Sequence, residues 1–527
     1  MGNKVALFDS SLRDGAQAEG ISFSVEDKLK ILEILDEHGV DYVEAGNPGS
    51  NPKDLEFFAR ASHIVLKHAR LAAFGSTRRR DIKVENDDNV QSLLLADTPV
   101  IVIFGKSWDF HVTEIIRTSL EENLAMIRDT VAFFKARGKE LVYDAEHFFD
   151  GYKNNPDYAV KSLQAAADGG ADALVLCDTN GGTFPSEVAE IVRKMVANFS
   201  VPIGIHAHND CGMAVANSVM AVENGARHVQ GTYIGFGERC GNANLSTIIA
   251  NLGVKRGFEC LPADQYKNIT RVARHIAAIS NVALNERDPY VGNCAFAHKG
   301  GMHIDGVNKA AHSFEHINPD LVGGQRRFLM SEVSGRRMIL EKIWEVDPGI
   351  TKDDAVTDSI IRRLKEMEHE GYQFEGAEST FELVIRKQLG KYRPFFELEH
   401  FKIIGEQPTS GEYSSSAIIK VKVDGTDEIT AAEGDGPVHA LDRALRKVLD
   451  KFYPELSNVH LTDYKVRVIN GRDATAAKVR VLIQSTDGDS VWTTVGVSTD
   501  IIEASWIALV DSIEYKLLKL EEAKVTA

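Results

Sequence analysis

Two histidines one residue apart are the feature of this sequence best suited to chemistry. His206 and His208 end a short apolar run and are followed by Asn209 and Asp210. Because side chains alternate across a strand, both imidazoles would project on the same side and could bind one divalent cation. An isolated His-x-His pair is more often structural, so the metal interpretation depends on the other ligands that the fold brings to this strand end.

Carboxylates and an amide follow other apolar runs. Asp14 comes after the first run beside Arg13, Glu146 ends the fifth, and Asn242 lies in a glycine-rich segment after the eighth. Two imidazoles and a carboxylate, with Asn242 as a further oxygen donor, would leave coordination positions open for a substrate. This donor set predicts a catalytic Mn²⁺, Mg²⁺, Co²⁺ or Zn²⁺ site, with Arg13 facing an anionic substrate or a developing alkoxide. In another setting, Arg13 and Asp14 would be an ordinary solvated ion pair.

The first 235 residues contain eight short apolar runs, each followed by turn residues and a helix-like stretch. The runs start 25 to 41 residues apart, which suits a strand, a crossover helix and two loops. This pattern predicts an α/β fold, the TIM (β/α)8 barrel, in which the carboxyl ends of all strands meet on one face. A doubly wound open sheet is the alternative. The runs are 4–9, 41–46, 71–75, 100–105, 141–146, 173–178, 203–208 and 228–232.

The pattern changes beyond residue 260. Helical stretches dominate 261–375, and the last 150 residues hold two strand–strand–helix repeats, with strands at 418–423, 428–432, 478–484 and 491–497. No cluster of catalytic residue types occurs in these repeats. We expect a TIM-barrel catalytic domain over 1–260, helical linker subdomains over 261–375 and a C-terminal regulatory, dimerising domain over 376–527.

Composition limits the classes of partner. The 527 residues include 60 Lys and Arg against 77 Asp and Glu, a net charge of −17, which argues against nucleic acid. No apolar run approaches the about 18 residues of a membrane span, and the N-terminus lacks the architecture of a signal peptide. The five cysteines are widely spaced without a C-x-x-C pair. We therefore expect a cytoplasmic protein in a reducing compartment, with no membrane partner and no zinc knuckle.

Three ordered segments together resemble the DRE-TIM metallolyase superfamily, in its group of 2-isopropylmalate, homocitrate and citramalate synthases. They are 9–15 (DSSLRDG), 206–210 (HAHND) and 237–243 (GERCGNA). The run 296–306 (FAHKGGMHIDG) is similar to the segment after the barrel in these synthases, and the tandem C-terminal module is similar to their allosteric domain. The resemblance covers essentially the whole chain. Segments 15–28 and 49–54 are similar to the branch whose oxoacid is pyruvate, although Ser10-Ser11 replaces the usual Thr-Thr.

The resemblance implies a Claisen-type condensation of acetyl-CoA with a 2-oxoacid, here pyruvate, followed by hydrolysis of the thioester. It implies a divalent metal on Asp14, His206 and His208, with Asn242 as a further ligand. Acetyl-CoA, pyruvate and a second copy of the chain in a homodimer are the implied partners, and isoleucine is our hypothesis for an effector bound between paired C-terminal modules.

The same resemblance suggests roles for the remaining candidates. Arg13 would stabilise the alkoxide, and Glu146 would accept the acetyl methyl proton. His303 would reach the barrel from the partner subunit to assist acetyl-CoA activation or thioester hydrolysis, which would leave an isolated monomer with an incomplete site. Tyr143 and Thr179 would line the oxoacid pocket. Glu238 and Asp305 would hold neighbouring site residues in place without contacting the substrate.

Four alternatives stay open at this point. A 2-isopropylmalate or homocitrate synthase would keep the chemistry and take a larger oxoacid, and bulk at Phe104, Trp108 or Tyr143 would decide between these substrates. A metal-dependent acyl-CoA lyase would run the cleavage direction. A TIM-barrel metal hydrolase would require further metal ligands on other strands. A non-catalytic sensor would not require the constellation in the barrel.

Overall fold

The computed structural model describes residues 3–328, 336–351, 354–374, 376–406, 414–469 and 477–526. Contacts divide the chain into two compact units. The first consists of Met1–Phe296 and Glu315–Arg326, and the second of Ala297–Phe314 and Arg327–Ala527. Within the described ranges, no helix combines the length and apolar character that crossing a membrane requires.

The first unit is built on a closed barrel of eight parallel strands in sequence order, so the predicted TIM barrel is confirmed. The barrel closes where the first strand pairs with the eighth, with Ala6 opposite His228. The strands are β1 (Ala6–Asp9), β2 (Tyr42–Glu44), β3 (Arg70–Ser76), β4 (Val100–Lys106), β5 (Glu140–Glu146), β6 (Ala173–Asp178), β7 (Ile203–Ala207) and β8 (His228–Gly231).

Helices alternate with these strands. The first helix begins after Ser24, whose side chain accepts a hydrogen bond from the Asp27 N–H in a capping box, and it ends at Gly39 in the left-handed conformation. The helices of this unit are α1 (Val25–His38), α2 (Pro52–Ala61), α3 (Asp88–Leu95), α4 (Leu120–Lys135), α5 (Phe148–Asn154), α6 (Pro156–Gly169), α7 (Pro185–Asn198), α8 (Ala214–Glu223), α9 (Leu245–Ile249) and α10 (Ile269–Ile279).

Successive residues of each barrel strand serve two different apolar layers. One set packs inside the barrel, and includes Phe8, Val102, Val142 and Val175. The alternate set packs between the strands and the surrounding helices. Because the period of a strand is two, a residue's position along its strand decides which layer it enters. Near the carboxyl ends the inner positions become polar, and this change creates the candidate site.

The second unit contains a helical part and two strand-rich halves. Its first elements are β9 (Ala297–His298), α11 (Gly301–Ala310), β10 (Arg327–Phe328), α12 (Arg336–Val346), α13 (Ala355–Glu370) and α14 (Glu378–Gln388). The halves follow as β11 (Phe396–Glu406), β12 (Ser414–Val423), β13 (Thr426–Gly434) and α15 (Pro437–Leu449), then β14 (His460–Val468), β15 (Val479–Thr486), β16 (Val491–Ser498) and α16 (Ile501–Thr526).

Each half therefore has three strands before its helix, and the predicted strand–strand–helix repeat was one strand short. The missing strands, β11 and β14, are edge strands of antiparallel three-stranded sheets. Most residues of β14 are exposed, so it lacks the apolar alternation that marks its neighbours β15 and β16. An edge strand with little burial leaves a weak hydrophobic signal in the sequence.

Candidate active site

A carboxylate and two imidazoles meet at the carboxyl end of the barrel. Asp14 follows β1, and His206 and His208 come from the end of β7, as the alternation predicts. The Asp14 Oδ2 atom lies 3.3 Å from His206 Nε2 and 3.8 Å from His208 Nε2, and the two Nε2 atoms are 3.3 Å apart. All three side chains are buried. Their donor atoms are close enough together to hold one metal ion.

Asn242 completes this group. Its amide nitrogen donates to Asp14 Oδ2 at 3.1 Å and lies 3.3 Å from His206 Nε2, whereas its buried Oδ1 has no hydrogen-bond partner. Rotation of the amide exchanges the two atoms, so the oxygen can face the same point. Gly237 makes room for this side chain, because a Cβ there would lie 1.8 Å from Asn242 Oδ1. Two imidazoles, a carboxylate and an amide oxygen fit a divalent cation.

Arg13 lies beside this group, where it forms ion pairs and stacks on an aromatic ring. Its Nη1 is 3.4 Å from Asp14 Oδ2, and its Nε donates to Glu44 Oε2 at 2.7 Å. The guanidinium carbon lies 3.9 Å from the centre of the Phe74 ring. Ser10 donates a further hydrogen bond to Glu44. Arg13 is thus fixed in orientation at the barrel mouth, beside the group of candidate metal ligands.

Burial and neighbouring charges set the protonation of these groups. Burial acts to raise the pKa of Asp14, but the adjacent Arg13 guanidinium outweighs it and holds that pKa well below its usual range. Burial and the adjacent His206 lower the pKa of His208 to about 4. A deprotonated carboxylate and a neutral imidazole are the forms that bind a cation.

Glu146 lies at the end of β5, pointing to the inside of the barrel, and forms an ion pair with Lys106 of β4. Both side chains are partly exposed, which is what a group that exchanges protons with a bound substrate needs. Thr179 follows β6 nearby, and its hydroxyl accepts a hydrogen bond from the His147 N–H at 2.9 Å. The His147 ring contacts the His111 ring, at 4.4 Å between centroids, and the His111 ring in turn stacks on Trp108 at 4.8 Å.

Tyr143 departs from its expected place in the oxoacid pocket. It is fully buried in the layer between the barrel strands and the helices, and a Cβ at Gly105 would lie 2.8 Å from its hydroxyl oxygen. The reason is the strand period, since Tyr143 and Glu146 are three residues apart and so lie on opposite faces of β5. The inward residue at this level is Asp144, whose pKa burial and the nearby Glu44 raise to about 7.

In the glycine-rich segment, Arg239 pairs mainly with Asp210 and not with its sequence neighbour Glu238. Glu238 is exposed, and its carboxylate lies 3.7 Å from Arg239. Arg239 makes its shorter contacts to both carboxylate oxygens of Asp210, at 2.8 and 2.9 Å, and donates to the Thr179 carbonyl at 2.6 Å. The loop thus ties the ends of β6 and β7 together.

His303 and Asp305 belong to the second unit. They lie on α11, where His303 is exposed and its ring lies 4.9 Å from the Phe314 ring between centroids. Lys309 forms an ion pair with Asp305 one helical turn away. These contacts are local to the second unit, and the expected role of His303 in a partner's barrel stays a prediction.

Sequence reasoning assigned no role to several side chains that hold the site together. Glu44 and Phe74 orient Arg13, Lys106 pairs with Glu146, and Gln230 of β8 contacts His206. Glu44, Lys106 and Gln230 lie at inward positions near the ends of their strands. Strand parity within a barrel was the signal that could have selected Glu44 and Lys106.

Comparisons with known proteins agree with this architecture. The HMGL-like family matches residues 4–276, the homocitrate synthase post-HMGL domain-like family 290–372, and the LeuA allosteric (dimerisation) domain 375–517. The chain is 51% identical to the (R)-citramalate synthase of Aquifex aeolicus over 99% of both chains. It is 52% identical to that of Geobacter sulfurreducens over 98% of both.

The probable 2-isopropylmalate synthase of Methanopyrus kandleri is more distant, at 31% identity over 97% of this chain and 98% of that one. The chain is thus more similar over its full length to these two citramalate synthases than to this probable 2-isopropylmalate synthase. The chain therefore belongs to the citramalate synthase family, within the 2-isopropylmalate synthase and homocitrate synthase group of the DRE-TIM metallolyase superfamily.

Proposed function

We propose that the chain condenses acetyl-CoA with pyruvate and water to give citramalate and free CoA. The observation that carries this proposal is identity of about half the residues over the whole length to citramalate synthases, in a chain whose barrel mouth gathers Asp14, His206 and His208. The full-length identity to citramalate synthases makes the lyase, hydrolase and sensor alternatives less well supported.

Asp14, His206, His208 and Asn242 are the residues that we propose to hold the metal. When bound, a divalent cation supplies Lewis-acid polarisation of the oxoacid carbonyl. Zn²⁺, Co²⁺ and Mn²⁺ accept this mixture of nitrogen and oxygen donors, and Mn²⁺ is our choice for a first test. Titration of metal-depleted protein with each cation separates these candidates.

Arg13 and Glu146 are the groups that we assign to the reaction itself. The Arg13 guanidinium, fixed by Glu44 and Phe74, offers hydrogen-bond donors to the oxygen of pyruvate that becomes an alkoxide. Glu146 accepts a proton from the acetyl methyl group, and Lys106 holds its carboxylate in place. Thr179 lies at the same face and would contact the oxoacid.

The preference for pyruvate follows from aromatic bulk at the barrel mouth. Phe74 and Phe104 are inward residues whose rings stack at 5.1 Å between centroids with 16° between their planes. With Arg13 stacked on Phe74, these rings restrict the space beside the reacting ketone. A methyl group fits where an isopropyl group would have to displace a ring.

The test of this function is release of free CoA from acetyl-CoA and Mn²⁺, followed with a thiol reagent. Pyruvate, 2-oxobutyrate, 2-oxoisovalerate and 2-oxoglutarate are supplied in turn. Preference for pyruvate, with citramalate identified by mass spectrometry, is the expected result. Preference for a larger oxoacid would retain the mechanism and overturn the substrate, and no release with any of them would overturn the function.

A homodimer is the assembly that we propose, because 375–517 matches the LeuA allosteric (dimerisation) domain. In that dimer, His303 with Asp305 would act at the barrel of the partner subunit. Mixed dimers test this idea. Inactive His303→Ala and Glu146→Gln chains should regain about a quarter of wild-type activity when reassembled together, whereas sites built from one chain would stay inactive.

An apolar amino acid, isoleucine, is the effector that we propose for the C-terminal module. A cavity of about 610 Å³ lies beside α15 and β14, with apolar residues such as Val459 and charged residues such as Asp442 and Arg446 in its lining. Ser457→Trp, at the exposed part of this lining, should abolish inhibition by isoleucine, and Thr499→Trp on an exposed turn should not. Inhibition that persists in Ser457→Trp would contradict the assignment.

Two further expectations stay proposals. The first is the set of domain boundaries near residues 260 and 375. The ends of the matched family segments lie close to them and support this proposal, and limited proteolysis would locate them.

The second is a cytoplasmic location, which suits a chain whose five cysteines are all free. Cell fractionation tests it directly.

A further inference from the structure

Gln230 contacts both a metal-ligand candidate and a buried carboxyl group. It is a fully buried residue of β8 and the register partner of His206 on β7. Its Oε1 lies 2.8 Å from His206 Nδ1, and its Nε2 donates to Asp144 Oδ1 at 2.9 Å. The Gln230 Nε2 also lies 3.4 Å from His228 Nε2. A single amide thus joins β5, β7 and β8 inside the barrel.

These contacts determine which nitrogen of His206 carries the proton. An amide oxygen can only accept a hydrogen bond, so His206 Nδ1 must be the protonated nitrogen that donates to Gln230. In the neutral ring, the lone pair is then on Nε2. That atom is the one 3.3 Å from Asp14 Oδ2 and 3.3 Å from His208 Nε2, at the place where a cation would bind.

Asp144 fixes the orientation of the amide. If the Gln230 amide turned by 180°, its oxygen would face an Asp144 oxygen, and its NH₂ group would face His206. An ionised carboxylate can only accept hydrogen bonds, so Asp144 in that form favours the observed orientation. His208 differs in this respect, since its buried Nδ1 has no hydrogen-bond partner. Of the two histidines, His206 is the one whose tautomer the protein sets.

We propose that Gln230, oriented by Asp144, is a positioning residue that fixes the tautomer and ring plane of His206 for metal binding. This inference rests on the metal site of the proposed function. Hydrogen bonds from a ligating histidine to its supporting acceptor typically contribute about 10- to 100-fold to metal affinity. The position was not among the candidates because glutamine in a strand has no sequence signature of this role.

The test measures Mn²⁺ binding to the metal-depleted full-length chain, by electron paramagnetic resonance of the free ion. Gln230→Leu removes the acceptor while keeping similar volume, and the Kd for Mn²⁺ should rise about 10- to 100-fold. Asn123→Leu is the matched control, because Asn123 is a fully buried amide that bonds to the Lys106 carbonyl and Tyr158 instead. Its Kd should stay within about twofold of the wild-type value.

A Gln230→Leu chain with unchanged Kd, or an equal loss in both amide variants, would overturn the proposal. If Gln230→Leu does not fold, Asp144 provides a second route. Asp144→Asn keeps an acceptor for the Gln230 amide and should retain the wild-type Kd, whereas Asp144→Leu should weaken it, and equal values for the two would contradict the relay. Because the readout is Mn²⁺ affinity, it stays measurable even if no oxoacid releases CoA.

Discussion

Lys106 and Glu146 are register partners on adjacent strands β4 and β5, and their side chains form an ion pair at the carboxyl end of the barrel. The pair places an ammonium group beside the carboxylate that we assign as the proton acceptor. Parallel strands in register make this contact without any loop, so the position of Glu146 is set by the barrel itself.

Removing the acceptor should have a larger effect than removing its partner. Glu146→Gln should lower kcat by about 10²- to 10⁴-fold, the usual contribution of a general base. Lys106→Met should lower it about tenfold, because Glu146 keeps its chemistry and loses the group that holds it. Release of CoA measures both.

Lys139→Met is the control for this pair, since Lys139 binds Asp97 in another ion pair between barrel loops. It should retain kcat within about twofold. An equal loss of kcat in Lys139→Met and Lys106→Met would mean that both ion pairs contribute only to the stability of the barrel, and that Lys106 does not position Glu146.

Gly237 should be sensitive to the smallest substitution. A Cβ there would meet Asn242 Oδ1 at 1.8 Å, so Gly237→Ala must move a side chain that we assign to the metal. We expect Mn²⁺ affinity to fall about tenfold or more. Gly182→Ala, where a Cβ would meet no atom within 4 Å, should bind Mn²⁺ normally. Equal Mn²⁺ affinities in Gly237→Ala and Gly182→Ala would contradict the assignment of Asn242 as a metal ligand.

Widening the barrel mouth should change the oxoacid preference. Phe104→Ala removes the ring that stacks on Phe74 and opens space beside the ketone. The ratio of kcat/KM for 2-oxoisovalerate to that for pyruvate should rise by about 10- to 200-fold, the range for a methylene-sized change. Tyr143→Phe should leave this ratio unchanged, because Tyr143 faces the helices. A changed ratio in Tyr143→Phe would place that residue back in the pocket.

Glu514 gives a prediction for the pH dependence of stability. Burial raises its pKa from 4.5 to about 7, although the Phe395 N–H donates to it. Between these values the folded state keeps a proton that the unfolded state has released, so the free energy of unfolding falls as pH rises. Glu514→Gln stays neutral and should be more stable than wild type by about 3 kcal/mol at pH 8.

At pH 5 the advantage of Glu514→Gln should be much smaller, because the wild-type side chain is then protonated in the folded state. Urea unfolding followed by tryptophan fluorescence measures the difference at each pH. A constant difference between the two proteins from pH 5 to pH 8 would contradict the raised pKa.

The barrel could be predicted from sequence because its signals are local and repeated. The first helix shows this well, since a capping Ser24 and a left-handed Gly39, both readable in the sequence, mark the two ends of Val25–His38. All eight barrel strands lie within a few residues of the predicted runs. Strand β14 escaped prediction because it is an exposed edge strand whose identity depends on its pairing with β15.

The candidate site was only partly accessible to the same reasoning. His206 and Asp14 were expected to meet because both lie at the carboxyl ends of barrel strands, and the structure brings His206 Nε2 to 3.3 Å from Asp14 Oδ2. The family resemblance implied a place for Tyr143 in the oxoacid pocket, whereas strand parity turns its side chain toward the helices. Gln230 could not be selected, since its role depends on two partners, 24 and 86 residues away, that only the closed barrel brings together.

The two-layer alternation of the barrel strands also bears on how such an enzyme can diverge. Inward residues such as Asp144 and Phe104 face the barrel interior, at whose carboxyl end we propose that substrates bind, while their outward neighbours, Tyr143 and Ile103, pack between the strands and the helices. Heritable changes at the first set can alter the reaction, and changes at the second alter whether the chain folds. A lineage could therefore drift toward a new oxoacid through inward positions at the barrel mouth, while the packing between strands and helices stays intact.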